Sequence, residues 1–338
     1  MQTKNKIFSF DVVIFSLLFW LLPVDMLNGF LLKEAGVESV VSISQVYKLI
    51  LFFFIFIRIS STEKLMFISF FLLMLIPSVL QIFKSGSISL IFNDAIKITK
   101  YLGSFLTFLY FRSIIINKSY LLKWIYRWFS FSFLILFINI FLKLFGLGFP
   151  MYIMNSLEIG SKGYFYAGNE LSGVLLVLCS FLLYWHRLYN NKISFIIIAI
   201  LSLLTGIYVT SKTAILGTII IIIWFFIFDP RGKKISIKKI FSYLLVFFTI
   251  IPLSLYFIIK YLETSALMQR VSYYWNELDI YTFLLSNRNT FLYDFIKIFK
   301  EKYNIIEMLL GVGQTTFETL NNNHIIELDF FDIYFAYG

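Results

Sequence analysis

Residues 65–83, LMFISFFLLMLIPSVLQIF, contain no charged side chain and are long enough to cross a bilayer as a helix. A hydrocarbon layer of about 30 Å needs about 20 mostly apolar helical residues. Similar runs recur on both sides of this stretch, which predicts an all-α, polytopic helical membrane protein. Nine spans and the start of a tenth are predicted, the nine at 7–32, 40–59, 65–83, 96–116, 121–145, 169–188, 193–209, 211–228 and 240–260.

The composition supports membrane burial. Of 338 residues, 59% are hydrophobic and 14% are charged, whereas a soluble domain carries about 25% charged residues. A single cysteine, Cys179, excludes a disulfide framework and a cysteine-based metal site. In a soluble protein, the net charge of +10 would suggest that the chain binds nucleic acid. In a membrane protein, the positions of the basic residues in the loops must be considered first. We therefore expect the lipid bilayer, and no nucleic acid, as a partner.

Basic residues alternate between loops in a way that predicts topology. With a cytoplasmic N-terminus, the cytoplasmic loops hold clusters of Lys and Arg and the opposite loops only scattered lysines. This positive-inside pattern places residues 261–327 outside the cytoplasm. The predicted organisation is a transmembrane bundle at 1–260, an extracytoplasmic helical loop at 261–327, and a further span that begins at 328–338. Because that last run is too short to cross a membrane, we expect the chain to be truncated.

The long loop mixes charged, amide and aromatic residues, which indicates a structured helical cap. Helical spacing is expected at 265–277 and at 287–302, where Phe291, Phe295, Ile298 and Phe299 share one predicted face. Gly311 and Gly313 then predict a break before the apolar run that starts near Leu328.

Candidate chemistry lies in polar groups at membrane depth or at the outer surface. Nucleotide-binding, zinc-protease and metal-binding DxD motifs are absent, so we expect neither a cofactor nor a metal. In YFYAGNELSG, residues 164–173, Asn169 and Glu170 either cap a helix or bind substrate. In TSKTAILG, residues 210–217, Lys212 stands beside the hydroxyls of Ser211 and Thr213 and is suited to anchor a phosphate. A lysine that snorkels to the membrane interface is the alternative for Lys212.

Two further elements lie in the outer loop. Arg288 offers a planar fork of donors that matches a diphosphate, although an exposed loop arginine is often only solvated. The acidic end of the loop could supply a base or bind sugar hydroxyls, or form a solvated interface cluster; it contains His324, Glu327, Asp329 and Asp332. Cations at or near lipid-facing runs, which could line a groove for an anionic headgroup, are Lys48, Lys97 and Lys100.

Five stretches in this order resemble the O-antigen ligase and polymerase superfamily, most closely the Wzy-type polymerases; they are AGNELSGVL, TSKTAILG, SNRNTFLYDFIKIF, LLGVGQTTFE and ELDFFDIYFAYG. The resemblance implies a GT-C-like glycosyltransferase that polymerises undecaprenyl-diphosphate-linked oligosaccharide repeat units into O-antigen or capsular polysaccharide. It also implies the bacterial cytoplasmic membrane, with chemistry on its outer face, and a chain-length regulator and a flippase as partners. The groove among the spans would then take the polyprenyl tail, and the outer loop would cover the glycan.

The resemblance also suggests roles. Arg288 and Lys212 would hold the donor diphosphate, and Glu327 or Asp329 would receive the proton of the acceptor hydroxyl. The family usually has an arginine where this chain has Lys212, which keeps the charge but loses bidentate recognition. Ligases of the superfamily have a histidine at the position of Glu327, which favours a polymerase. A ligase and a lipid-linked oligosaccharide flippase or transporter stay as alternatives.

Overall fold

The computed structural model describes residues 10–36, 42–117, 121–154, 157–165, 168–231, 282, 285, 287–322 and 325–338. Of the described residues, 82% are helical and 2% lie in strands. The predicted ninth span at 240–260, the predicted helix at 265–277 and His324 lie outside the described residues.

The described helices follow the predicted spans closely. They are α1 (Phe10–Glu34), α2 (Ile43–Arg58), α3 (Ser61–Ser85), α4 (Ser89–Asn117), α5 (Leu122–Phe141), α6 (Gly168–Leu188), α7 (Lys192–Val209), α8 (Lys212–Ile227), α9 (Arg288–Lys302), α10 (Ile305–Leu310), α11 (Gln314–Leu320) and α12 (Asp329–Tyr337). The first eight predicted spans each coincide with one of α1 to α8. The predicted break at Gly311 and Gly313 is also present, between α10 and α11.

Five of these helices are long and apolar enough to cross a membrane: α1, α3, α5 with its 3-10 extension to Phe145, α6 and α7. Helix α8 is apolar but has only 16 residues. Helix α2 also has 16 residues, about 24 Å at 1.5 Å per residue, which is less than the bilayer core. Helix α4 carries Asp94, Lys97, Lys100 and Arg112 along its 29 residues. The helices indicate a membrane protein, whereas the predicted nine spans and their topology stay predictions.

A short β-hairpin lies between α5 and α6, within described residues that are mostly helical, as the all-α prediction expects. Strands β1 (Tyr152–Met154) and β2 (Leu157–Ile159) pair antiparallel, and Phe149 and Gly163 form a further bridge. Ser161 fixes the hairpin, because its N–H donates to the Tyr208 carbonyl at 3.0 Å and its hydroxyl donates to the Ile140 carbonyl at 2.7 Å. These two hydrogen bonds join the hairpin to α5 and α7.

The chain divides into two compact units. The first consists of Met1–Phe54 and Lys118–Val271, and α5 to α8 pack there around buried leucines and Phe133. The second consists of Ile55–Asn117 and Ser272–Gly338, and its apolar core contains Phe295, Phe317 and Phe335. The second unit therefore groups α3 and α4 with the C-terminal helices. The predicted organisation into a transmembrane bundle, an extracytoplasmic loop and a further span stays a prediction.

Candidate functional site

In the first unit, the two sequence motifs meet at a buried hydrogen bond. The Ser172 hydroxyl on α6 donates to the Ser211 hydroxyl at 2.9 Å. Ser211 precedes α8 and is 8% exposed. The motifs YFYAGNELSG and TSKTAILG are thus neighbours in space, as a shared site requires. The Ser211 hydroxyl, a predicted substrate ligand, joins two helices in this structure.

The other predicted residues of the first unit lie on first helical turns. Lys212 begins α8, and Lys212 and Thr213 are both exposed. Glu170 is exposed in the first turn of α6. Asn169 also belongs to that turn, but its side chain lies outside the described residues. Lys212 and Thr213 are thus accessible to a ligand, as the prediction needs.

A basic cluster near the hairpin was not predicted. The ammonium groups of Lys33 and Lys162 each lie 5.5 Å from the centroid of the Phe149 ring. Burial lowers the pKa of Lys162 below its ordinary value. Close by in sequence, the hydrogen bond from Lys143 lowers the pKa of Glu158. Sequence spacing could not predict this cluster, because Lys33 is more than a hundred residues from Phe149 and Lys162 in the chain.

In the second unit, Arg288 and Glu327 form an ion pair. The Arg288 Nη2 atom donates to the Glu327 Oε2 atom at 3.0 Å, and their side chains are 33% and 46% exposed. Arg288 begins α9 directly after Asn287, whose φ is +68°. Glu327 also has a positive φ, +62°, which non-glycine residues rarely adopt. The structure thus brings the predicted arginine and the predicted base together across a sequence separation of 39 residues.

The two aspartates of the acidic motif occupy different environments. Asp329 is exposed at the start of α12. Asp332 is 4% exposed, and its Oδ1 atom accepts the Ile326 N–H at 2.9 Å. Asp332, a predicted sugar ligand, therefore holds the turn that carries Glu327. His324 lies outside the described residues.

The LLGVGQTTFE motif binds α12 to the helix pair α3 and α4. The Gly313 N–H donates to the Ala336 carbonyl at 2.8 Å. Asp94 on α4 accepts hydrogen bonds from the Thr315 N–H at 2.6 Å and from the Thr315 and Ser78 hydroxyls. The Gly313–Ala336 contact therefore holds the fourth motif, LLGVGQTTFE, beside the fifth, ELDFFDIYFAYG.

Two of the three cations that could line a headgroup groove, Lys48 and Lys97, are paired with carboxylates of the chain. The Lys97 Nζ atom donates to the Glu318 Oε2 atom at 2.7 Å, and the Lys48 Nζ atom lies 3.0 Å from the Asp25 Oδ1 atom. The predicted anion groove at Lys48 and Lys97 is therefore occupied by carboxylates of the chain itself. In the described part of the chain, no group of three or more His, Cys, Asp and Glu side chains is arranged to hold a metal ion.

A pocket of about 310 Å³ lies between α9 and α12 in the second unit. Its lining includes Asn289 and Leu328, which directly follow Arg288 and Glu327 in the chain. Neither side chain of the ion pair lines the pocket, but Arg288 lies one helical turn before the lining residue Leu292 on α9, which places the pair near one end of the pocket. The predicted site residues fall into both units, with Lys212 in the first and Arg288, Glu327 and Asp329 in the second.

No protein-family model, no curated protein and no solved structure matches this chain. The family suggested by the five motifs consequently stays a hypothesis.

Proposed function

We propose that this chain is a Wzy-type membrane glycosyltransferase, which joins undecaprenyl-diphosphate-linked repeat units into a surface polysaccharide at the outer face of the bacterial cytoplasmic membrane. The observation that carries the proposal is the Arg288–Glu327 pair. It unites a permanently charged phosphate ligand with a carboxylate that can accept a proton, and both side chains are accessible. The five membrane-length helices support the lipid-linked nature of the substrate.

Arg288 would bind the donor diphosphate. A guanidinium has five N–H donors in a fixed fork, of which the one on Nη2 donates to Glu327. As the bond between the anomeric carbon and the diphosphate oxygen breaks, negative charge grows on that oxygen. Arg288 stabilises the departing diphosphate because its positive charge is already in position.

Glu327 would act as the general base. The acceptor hydroxyl oxygen forms the new bond to the anomeric carbon, and its proton passes to the Glu327 carboxylate. Asp329 at the start of α12 is the second candidate for this proton. When the diphosphate binds Arg288 and breaks its ion pair with Glu327, the Glu327 carboxylate becomes available to accept the proton. Binding of the donor would therefore activate the base.

Lys212 belongs to the first unit, and its role as a phosphate ligand is a separate part of the proposal. Its exposure at the first turn of α8 supports this role. Because lysine lacks the arginine fork, Lys212→Arg should maintain or strengthen phosphate binding, whereas Lys212→Ala should weaken it.

The proposal is tested by deleting the gene in its native strain and separating the surface polysaccharide on a gel. We expect the ladder to be lost, single repeat units to survive, and this chain to restore the ladder. Arg288→Ala should not restore it. Lys297→Ala is the matched control, because Lys297 is an exposed cation on the same helix α9. Membrane levels of each variant are compared by immunoblot.

Other outcomes would assign other functions. Accumulated lipid-linked polymer would indicate a ligase, and single units held at the cytoplasmic face would indicate a flippase. A full ladder from Arg288→Ala cells would disprove the role of the arginine.

A further inference from the structure

The pocket between α9 and α12 has an almost entirely apolar lining. Its apolar walls are Leu285, Leu292, Tyr293, Ile296, Leu328 and Phe331. The remaining lining residue, Asn289, already donates from Nδ2 to the Thr282 hydroxyl at 2.7 Å. The walls therefore offer hydrocarbon contact and few hydrogen-bonding groups, one of which is the Asn289 Oδ1 atom, buried without a partner in the described part of the chain.

A cation lies near one end of this apolar space. Arg288 and Glu327, whose side chains are 3.0 Å apart, each precede a lining residue, Asn289 on one wall and Leu328 on the other. The combination of a guanidinium and an adjacent hydrocarbon pocket matches a ligand with an anionic head and an apolar chain. A ligand with charge alone would leave the pocket unfilled.

A sugar does not fit these walls. Each ring hydroxyl buried without a partner costs about 1–3 kcal/mol, and the lining has no set of polar groups to receive several hydroxyls. In a polyprenyl diphosphate, the diphosphate is bonded to a sugar on one side and to a branched hydrocarbon on the other. If Arg288 holds the diphosphate, the hydrocarbon is the neighbouring group that the pocket can accept.

We propose that this pocket binds the first isoprene units of the lipid carrier while Arg288 binds its diphosphate. The identity of the amphiphile as the glycan carrier rests on the proposed function. The inference departs from the expectation that the carrier chain lies wholly in a groove among the spans. It also directs the sugar away from the pocket, toward the exposed side of Glu327.

The pocket volume sets the length of chain that it can hold. A volume of 310 Å³ equals about ten water molecules at roughly 30 Å³ each. Two five-carbon isoprene units have a similar number of heavy atoms. Affinity should therefore rise steeply from one unit to two and then level off, since burial of each added carbon contributes until the pocket is full.

The test measures binding of soluble polyprenyl diphosphates to the full chain in detergent micelles. Labelled geranyl diphosphate is displaced by dimethylallyl, geranyl or farnesyl diphosphate, by inorganic diphosphate, or by dodecyl phosphate as a straight-chain anionic amphiphile. We expect geranyl diphosphate to bind at least about tenfold more tightly than dimethylallyl diphosphate, and farnesyl diphosphate to bind within about threefold of geranyl.

Separate variants test the contribution of the pocket and the contribution of the cation to binding. Leu292→Trp and Leu328→Trp fill the pocket from its two walls, and each should remove the preference for geranyl over inorganic diphosphate. Arg288→Ala should weaken both ligands. Phe291→Ala is the matched control, because Phe291 is an exposed apolar residue on α9 outside the lining and should leave binding unchanged.

Three results would overturn the inference: equal affinity for all chain lengths, geranyl binding unaffected by both tryptophan variants, or tighter binding of dodecyl phosphate, which would indicate a membrane phospholipid. The assay requires no glycan transfer. A failed ladder experiment with an intact chain-length preference would reject the polymerase and keep the pocket assignment.

Discussion

The Asp94 carboxylate on α4 accepts the Thr315 backbone N–H at 2.6 Å, across a sequence separation of 221 residues. Asp94 is 1% exposed, and the hydroxyls of Ser78 and Thr315 also donate to it. A carboxylate can remain buried only where such donors replace water. Asp94 thus ties the LLGVGQTTFE segment to the helix pair α3 and α4 within the second unit.

Asp94→Ala should destabilise the second unit by about 3 kcal/mol, because it leaves the Thr315 N–H and the Ser78 hydroxyl buried without their acceptor. Thermal unfolding in detergent micelles, monitored by proteolysis of the C-terminal segment, measures the effect. Asp294→Ala removes a carboxylate that is 71% exposed and should change little. Equal unfolding temperatures for both variants would contradict this role of Asp94.

A contrast between two glycines tests the packing of the first unit. A Cβ at Gly29 on α1 would lie 1.6 Å from the Tyr164 carbonyl oxygen, whereas a Cβ at Gly173 on α6 meets no atom within 4 Å. Gly29→Ala should therefore destabilise the protein by at least about 2 kcal/mol. Gly173→Ala should stabilise it by up to about 1 kcal/mol, since alanine favours the helix.

Both glycine variants are compared by thermal unfolding and by the yield of monodisperse protein. A Gly29→Ala protein as stable as the unsubstituted chain would show that α1 and the Tyr164 loop do not pack as described.

The helices of this protein are largely predictable because their signal is local. Runs such as residues 65–83 and 193–209 are apolar along their whole length, and no tertiary contact is needed to recognise them. The start of α9 after Asn287 and the break at Gly311 and Gly313 also follow from local residue types.

What the sequence could not supply is the pairing of distant polar groups. Lys97 was expected to face an anionic headgroup, but Glu318 supplies the negative charge from a segment 221 residues away. Phe291 was expected on a shared apolar face with Phe295, yet it is 50% exposed while Phe295 is fully buried. The partners of α9 come from α11 and α12, and helical periodicity alone does not identify them.

For the candidate site, the sequence identified Arg288 and Glu327 separately, and only the structure shows their contact. Asp332 was expected beside them as a sugar ligand, but the backbone turn at Ile326 uses its carboxylate. Asp332 is buried whereas Asp329 is exposed, and this difference depends on how the chain packs around α12 rather than on the residues of the motif.

Glu307 should make the stability of the second unit depend on pH. Burial alone would raise the pKa of the Glu307 carboxyl, but the hydrogen bonds from the Asn304 backbone, Gln81 and Lys84 together lower it below its ordinary value of 4.5. Because the folded pKa is the lower one, these contacts stabilise the fold fully above about pH 4.5. Their contribution is lost as the pH falls through the folded pKa.

The unfolding temperature between pH 3 and pH 6 measures this dependence. Glu307→Gln should lower the unfolding temperature at pH 6 and flatten its decline toward pH 3. Glu301→Gln, at an exposed position on α9, should follow the unsubstituted curve. Parallel curves for all three proteins would mean that Glu307 does not contribute to acid sensitivity.

Exchanging the charges of Arg288 and Glu327 separates a structural ion pair from a functional one. The pair is partly exposed, so it contributes at most about 1 kcal/mol to stability. Neither Arg288→Glu nor Glu327→Arg should therefore unfold the protein, and the double exchange should return the unfolding temperature to its original value. Polysaccharide ladders should nevertheless be lost in both single variants and in the double exchange.

The reason is that the proposed chemistry needs each charge on its own backbone segment. The guanidinium must lie near the apolar pocket at the start of α9, and the carboxylate must precede α12 on the side of the acceptor. An exchange of Asp294 and Lys297, an exposed pair with an N–O distance of 3.9 Å on the same helix, is the matched control and should preserve both stability and ladder. A ladder restored by the Arg288 and Glu327 exchange would show that the pair only holds α9 to the turn before α12, and the catalytic roles of both residues would have to be abandoned.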